Sequence, residues 1–146
     1  EATQAGQPAP DVELTTPEGK TVKLSSLIQG KFTYIDVWAT WCGPCCKEIP
    51  FVEKLVEEMK GSTKLQFVSF SVDSDRQAWE AKLQADKPAW QQFILDADAN
   101  KTLSDALGIN GIPRFILLGP DGIIINQDAP RPSDPALKEL LNGLTN

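Results

Sequence analysis

The stretch Trp41-Cys42-Gly43-Pro44-Cys45 decides the fold, because it places two cysteines at a strand-to-helix turn. The apolar run before it, residues 32–39, predicts a buried strand. Residues 43–60 carry apolar side chains at helical spacing. Two cysteines separated by two residues at a helix start are typical of a redox-active dithiol, since the helix N-terminus favours a thiolate. The pattern therefore indicates thiol–disulfide exchange in a βαβ context.

Composition limits the possible classes of protein. The chain has 146 residues, of which 41% are hydrophobic and 23% charged, so we expect a single domain over 1–146 with residues 1–10 as a loose lead-in. The net charge of −6 disfavours nucleic acids and anionic membranes as partners. No apolar run approaches the roughly 18 residues of a membrane span. No signal-peptide pattern opens the sequence, so we expect any upstream signal or anchor to be absent from it.

The histidine and cysteine content limits which catalytic and metal-binding sites the chain can form. The chain has no histidine, which excludes Ser-His-Asp and Cys-His catalysis and histidine metal ligands. All three cysteines lie within residues 42–46, so they cannot link distant parts of the fold. Clustered cysteines of this kind indicate redox chemistry or metal binding rather than a disulfide framework.

The remaining pattern predicts an α/β fold with a mixed central β-sheet flanked by helices. An N-terminal β-hairpin should precede the dithiol unit, and a second hairpin and a last helix should follow it. The predicted elements are strands 12–14 and 21–24, a helical turn capped by Ser25 or Ser26, strand 65–72, a helix from Ser74-Asp75, strand 93–95, helix 100–107, strands 114–118 and 123–126, and a helix capped by Ser133. Pro50 should kink the helix over 43–60.

The chain resembles the thioredoxin superfamily. Asp36, the Trp41-to-Cys45 motif and Gly111-Ile112-Pro113 carry the resemblance. The N-terminal hairpin, a central βα-type insert at about 74–100, and Glu48 and Pro50 resemble the TlpA/ResA-like branch of extracytoplasmic thiol–disulfide oxidoreductases. The resemblance covers nearly the whole chain and implies a thioredoxin-like fold.

The two motif cysteines have distinct expected roles. Cys42 is the expected nucleophile, since it lies at the helix N-cap, and a cysteine beside Gly-Pro at a helix start is poorly placed for burial. Cys45 is the expected resolving thiol, one turn along the same helix face. Together they form the expected redox-active disulfide Cys42–Cys45.

Two carboxylates are candidates to control protons at the dithiol. Asp36 lies in an apolar strand, where burial would raise its pKa and let it accept the Cys45 proton, as the resemblance also implies. The alternative is a partly solvated aspartate at a strand edge. Glu48 follows Cys45 by three residues, and the resemblance implies that it tunes the thiols. The alternative for Glu48 is an ordinary solvated helix carboxylate.

A substrate surface is expected around the dithiol. Trp41, Gly43 and Pro44 should flank the cysteines, with Trp41 as an exposed apolar contact. The resemblance implies a cis bond between Ile112 and Pro113, with the Ile112 backbone turned outward to pair with an extended substrate. A trans proline opening an edge strand is the alternative.

The function that the resemblance implies is reduction of disulfides in extracytoplasmic protein clients. These clients include apocytochrome c, which would place the chain in cytochrome c maturation in the periplasm or cell envelope. An upstream membrane or thioredoxin-type electron donor is expected, and the chain is expected to be a monomer without a cofactor or metal.

Other functions stay open on the sequence alone. They are a redox-sensing or metal-binding interaction module and a peroxiredoxin-type peroxidase. The peroxidase is disfavoured because Ala39 stands where such enzymes need threonine. Cys46 departs from the family pattern, and it is either a small half-buried residue or a third redox thiol.

Overall fold

The structure is a computed structural model that describes residues 5–146, which form seven strands and five helices. In chain order the elements are β1 (Glu13–Thr15), β2 (Thr21–Lys23), α1 (Leu24–Ile28), β3 (Phe32–Trp38), α2 (Gly43–Glu58), β4 (Leu65–Ser71), α3 (Arg76–Asp86), β5 (Gln91–Ile94), α4 (Ala97–Leu107), β6 (Arg114–Leu118), β7 (Ile124–Asn126) and α5 (Pro135–Thr145). The predicted α/β class and the order of the elements are confirmed.

The strands form one mixed sheet in the order β2-β1-β5-β4-β3-β6-β7. β3, β4 and β5 are parallel neighbours, whereas β6 runs antiparallel to β3 and β7 antiparallel to β6. The hairpin of β1 and β2 extends the sheet beyond β5. Because β3 and β4 are parallel, the loops that follow them meet at the same edge of the sheet.

The central strand β3 packs against apolar layers on both faces, as its continuous apolar sequence predicts. Ile35 and Val37 join one core cluster, whereas Tyr34 joins a second cluster that includes Leu55 of α2. Side chains alternate between the faces of a strand, so Asp36 lies on the same face as Tyr34. This register directs the Asp36 carboxyl into the layer beneath α2.

Two predicted helix caps are wrong. Lys23 occupies the N-cap position of α1, and its side chain has no acceptor with which to cap the helix. Ser25 binds Asp11 instead, and Ser26 donates to the Lys23 carbonyl. Asp134 caps α5 by accepting from the Ala136 N–H. Ser133, the predicted cap of α5, is bound to Glu48.

Two further expectations about boundaries need correction. α4 begins at Ala97 rather than residue 100, because Asp96 accepts a hydrogen bond from the Ala99 N–H at 2.8 Å and caps the helix earlier. The loose lead-in is wrong for residues 6–9, since Gly6 and Ala9 donate backbone hydrogen bonds to the Ile124 and Gly122 carbonyls. Residues 1–4 of that prediction lie outside the described residues.

Within residues 5–146, no helix has both the length and the apolar character that are needed to cross a lipid bilayer.

Candidate active site

The two motif cysteines form a disulfide at the start of α2. Cys42 occupies the N-cap position, and its Sγ accepts a hydrogen bond from the Cys45 N–H at 3.2 Å. Pro44 lies in the first turn, where its missing N–H removes no helix bond. The helix terminus therefore offers Cys42 an N–H donor and the positive end of the helix dipole, and both favour a thiolate after reduction.

The disulfide is more enclosed than the sequence suggests. Cys42 is 5% exposed and Cys45 1% exposed, so the expectation that Cys42 is poorly placed for burial is wrong. The Ile112–Pro113 bond is cis, and the Ile112 carbonyl oxygen lies 3.9 Å from the Cys42 Sγ. The loop before β6 therefore lies against Cys42 and contributes to its burial.

An exposed rim surrounds this enclosed disulfide. The Trp41 side chain is 70% exposed, although a large aromatic residue is normally withdrawn from water. Gly43 and Pro44 are also exposed, whereas Ile112 and Pro113 are half-buried. The five residues predicted to bind substrate thus lie on or beside the loops that flank the disulfide.

Asp36 is buried as predicted, with 3% of its surface exposed. Its Oδ2 accepts a hydrogen bond from the Ser69 hydroxyl at 3.3 Å. Burial raises the pKa of this carboxyl to about 7, with the Ser69 hydrogen bond opposing the rise and the charge of Glu48 adding to it. A carboxyl with this pKa exchanges its proton near neutral pH, as a proton acceptor requires.

Glu48 is buried rather than solvated, with 7% of its surface exposed. Both carboxylate oxygens are bound to Ser133: the Ser133 N–H donates to Oε1 at 2.9 Å, and its hydroxyl donates to Oε2 at 2.8 Å. Glu48 thereby joins α2 to the segment before α5. Its negative charge also contributes to the raised pKa of Asp36.

A third buried carboxylate, Asp73, is part of the site and was not identified from the sequence. Both of its oxygens accept from the Thr40 N–H, at 3.1 and 3.2 Å, and Oδ1 also accepts from the Thr40 hydroxyl at 2.7 Å. Ser71 donates to Oδ2. The available signal was topological: Thr40 follows β3 and Asp73 follows β4, so two polar residues meet at the carboxyl ends of parallel strands.

We expect Asp73→Ala to destabilise the folded protein by about 1–3 kcal/mol, because the part-buried N–H and hydroxyl of Thr40 lose their acceptor. The loop that carries Trp41 and Cys42 should also lose its fixed position. Chemical denaturation measures the first effect, and the alkylation rate of reduced Cys42 measures the second. Asp75→Asn, in the exposed cap of α3, is the matched control. If Asp73→Ala behaves like this control in both measurements, Asp73 does not position the loop.

Cys46 is a free, half-buried thiol. Its Sγ donates to the Thr40 carbonyl oxygen at 3.6 Å. Thr40 is the same residue whose N–H and hydroxyl bind Asp73. This geometry matches the prediction that Cys46 is a small half-buried residue. The alternative, a third redox thiol, would require thiol–disulfide exchange between Cys46 and a partner.

We expect Cys46→Ser to leave both the reduction potential of the dithiol and its turnover unchanged, because serine preserves a donor to the Thr40 carbonyl. Equilibration with glutathione buffers and a disulfide-reduction assay check this expectation. A changed potential or turnover would establish a redox role for Cys46.

No group of three or more histidine, cysteine, aspartate or glutamate side chains within residues 5–146 is arranged to hold a metal ion. The contacts described for Cys42 come from the Cys45 N–H of α2 and from the Ile112 carbonyl of the loop before β6.

Comparisons with known proteins agree with this geometry. Residues 4–142 match the Redoxin family model. The chain is 28% identical over 125 residues to the thiol-disulfide oxidoreductase ResA of Bacillus subtilis, covering 86% of this chain and 67% of ResA.

Solved structures show the same fold. A crystal structure of a candidate thiol-disulfide oxidoreductase from Bacteroides vulgatus has a TM-score of 0.86 and 37% identity, covering 95% of each chain. The thioredoxin domain of another thiol-disulfide oxidoreductase from the same organism has a TM-score of 0.86 and 26% identity, covering 99% of this chain and 100% of that domain. Together with the disulfide at the start of α2, these matches show that the chain belongs to the Redoxin family, as a TlpA/ResA-like thiol–disulfide oxidoreductase of the thioredoxin superfamily.

Proposed function

We propose that this protein reduces disulfides of extracytoplasmic protein clients, with Cys42 as nucleophile and Cys45 as resolving thiol. The observation that carries the proposal is the Cys42 Sγ at the N-cap of α2, where it accepts the Cys45 N–H. This placement stabilises a thiolate at Cys42 and leaves Cys45 as the protonated partner one turn along the helix.

The reaction transfers two electrons from the dithiol to the client. The Cys42 thiolate attacks one sulfur of the client disulfide, forms a mixed disulfide and releases the other client sulfur as a thiolate. Cys45 then loses its proton to Asp36 and attacks the Cys42 sulfur. This step forms Cys42–Cys45 and releases the second client thiolate. An upstream dithiol donor, membrane-bound or thioredoxin-type, returns two electrons to the disulfide.

In our proposal, Glu48 influences these reaction steps through Asp36. Its two oxygens are held by Ser133, so the carboxylate is fixed in place. A fixed negative charge opposes ionisation of Asp36 and so contributes to the pKa of about 7. The thiol tuning proposed for Glu48 is then indirect, through the proton affinity of the acceptor.

Client binding would use the rim of the disulfide. Trp41 supplies exposed aromatic surface, and Gly43 and Pro44 leave the approach to Cys42 unobstructed by large side chains. The Ile112 carbonyl, which lies beside Cys42, would accept a hydrogen bond from an extended client strand. This binding mode suits an unfolded or extended client such as apocytochrome c.

The function is tested with two disulfide substrates and dithiothreitol as the electron source. One is insulin, and the other is a peptide with the oxidised Cys-x-x-Cys-His sequence of a haem attachment site. Faster reduction of both than with dithiothreitol alone is the expected result, and a preference for the peptide supports the apocytochrome client. If neither substrate is reduced faster, the reductase proposal is wrong.

A further inference from the structure

A small cavity of about 30 Å³ lies beside Asp36, between the sheet and helices α2 and α3. Three of the residues around it each have a buried polar atom without a hydrogen-bond partner within residues 5–146. These atoms are Asp36 Oδ1, Trp38 Nε1 and Gln92 Oε1. Buried polar atoms are normally paired with protein or with ordered water, so this grouping around one cavity needs an explanation.

The three atoms have the chemistry of a water site. The carboxyl and amide oxygens accept hydrogen bonds, whereas the indole N–H only donates. A single water can donate to the two oxygens and accept from the indole, and three bonds are typical of buried water. The cavity is large enough, since about 10–15 Å³ holds one water. We propose that this cavity is a water site, and that Asp36 exchanges its proton with solvent through it.

Hydrogen bonds on the other side of Asp36 fix its orientation. The Trp90 indole N–H donates to the Ser69 Oγ at 2.8 Å. Because the indole can only donate, the Ser69 hydroxyl is free to direct its own proton to Asp36 Oδ2. The remaining oxygen, Oδ1, is the one without a protein partner. Ser69 and Trp90 are therefore positioning residues that leave Oδ1 for the water.

The outer wall of the cavity supplies an exit for the proton. Glu53 of α2 and Asp86 of α3 line the cavity and are exposed to solvent. Asp86 is paired with Lys82 at 2.8 Å, whereas Glu53 forms no ion pair within residues 5–146. When Asp36 is protonated, its Oδ1–H donates to the cavity water, and the water hydrogen that this frees can point to the Glu53 carboxylate. The water takes the proton from Asp36 and gives its other hydrogen, as a proton, to Glu53, which releases it to bulk water. Asp36 is left as a carboxylate, ready for the next cycle.

The charged and titratable groups around Asp36 favour this direction. Glu48 and Glu53 face it or its cavity from α2, Asp86 with Lys82 from α3, and Tyr34 lies two residues earlier on β3. The acids at the outer wall attract a proton, whereas the buried Glu48 is occupied by Ser133. The proton route rests on the proposed role of Asp36 as acceptor of the Cys45 proton, but the water site does not.

The first test needs no variant. Magnetisation transfer from water to the indole N–H protons is measured by NMR in the intact protein. We expect a cross-peak of a long-lived water at the Trp38 indole. The Trp79 indole is the internal control, because it is also buried and without a partner within residues 5–146 but is outside the cavity lining. Absence of the Trp38 cross-peak overturns the water site.

The second test removes one ligand of the water. Gln92→Leu keeps the approximate side-chain size and deletes the amide oxygen, and Gln91→Leu is the control on the exposed face of the same strand. With carboxyl-labelled aspartate, we expect the NMR titration of Asp36 in Gln92→Leu to move to higher pH by about 1 pH unit, since the water that donates to the Asp36 carboxylate loses its Gln92 acceptor and is held less firmly. The control should titrate like the wild type. Equal titration curves for both variants overturn the proposal.

The proton route is separated from the reductase function by Glu53→Gln, a surface change. We expect this variant to slow disulfide reduction severalfold at pH 7 while wild-type protein remains active. Unchanged turnover in Glu53→Gln, with an active wild type, overturns the exit route alone. An inactive wild type that still shows the Trp38 cross-peak overturns the reductase function and leaves the water site in place.

Discussion

The Cys45→Ser variant is expected to stop at the mixed disulfide and to accumulate a covalent complex with a client through Cys42. Cys42 keeps its place at the helix N-cap and can still attack, but serine cannot resolve the bond. Turnover should therefore fall to the rate of the reductant alone. Non-reducing electrophoresis and mass spectrometry with an oxidised client peptide measure the complex.

The reciprocal variant, Cys42→Ser, provides the matched comparison. It should lose turnover to the same extent and trap no client, because Cys45 is even more buried than Cys42 and lies inside α2, away from the N-cap position that stabilises a thiolate. A client trapped at Cys45 or Cys46 in this variant would contradict the assignment of Cys42 as nucleophile.

The Asp36→Asn variant is expected to be more stable than the wild type at pH 8 and much slower in turnover. The pKa of Asp36 is raised from 3.8 to about 7 in the folded protein. The folded state therefore keeps a proton that the unfolded state releases, and the free energy of unfolding falls as pH rises through this window. At about 1.4 kcal/mol per pH unit, the full effect is about 4 kcal/mol.

Asparagine cannot ionise, so the stability difference between Asp36→Asn and wild type should grow between pH 4 and pH 8. Chemical denaturation of the oxidised proteins at the two pH values measures it, and Asp98→Asn, on the exposed surface of α4, controls for loss of one aspartate. Turnover at pH 7 should fall about a hundredfold, as expected for loss of a general base. A stability difference that is the same at both pH values would contradict the raised pKa.

The Glu48→Gln variant tests whether the charge of Glu48 contributes to the raised pKa of Asp36. Removing the charge that contributes to the high pKa of Asp36 should move the Asp36-dependent step in turnover to lower pH. The pH profile of disulfide reduction measures this. A profile identical to that of the wild type would show that Glu48 serves only as the acceptor for Ser133.

Local patterns predicted most of the fold. The apolar run of β3, the helical spacing of α2 and the second hairpin, of β6 and β7, each depend on residues that are close together in the sequence, and the structure confirms all three. The helix caps were harder, because several polar residues precede each helix and the choice depends on distant partners. Ser133 is a plausible cap in the sequence, but Glu48, 85 residues away, holds it.

The candidate site was predictable where chemistry and spacing coincide, as at Cys42 and Cys45. The burial of Cys42 could not be predicted, because the loop with Ile112 that lies against it is 70 residues away in the sequence. Asp73 was also missed, since its contact with Thr40 exists only after β3 and β4 align in parallel. The positions of Gln92 and Trp90 beside Asp36 could not be predicted either, because they depend on the insert strand β5 joining the sheet beside β4.

The reduction potential of the Cys42–Cys45 pair tests the central claim most directly. It is measured by equilibrium with glutathione or dithiothreitol buffers, followed by tryptophan fluorescence, because Trp38 and Trp79 pack in one cluster with both cysteines. A disulfide reductase should have a potential near about −270 mV or lower. A potential near about −120 mV would make the protein an oxidant and contradict the proposed direction of electron transfer.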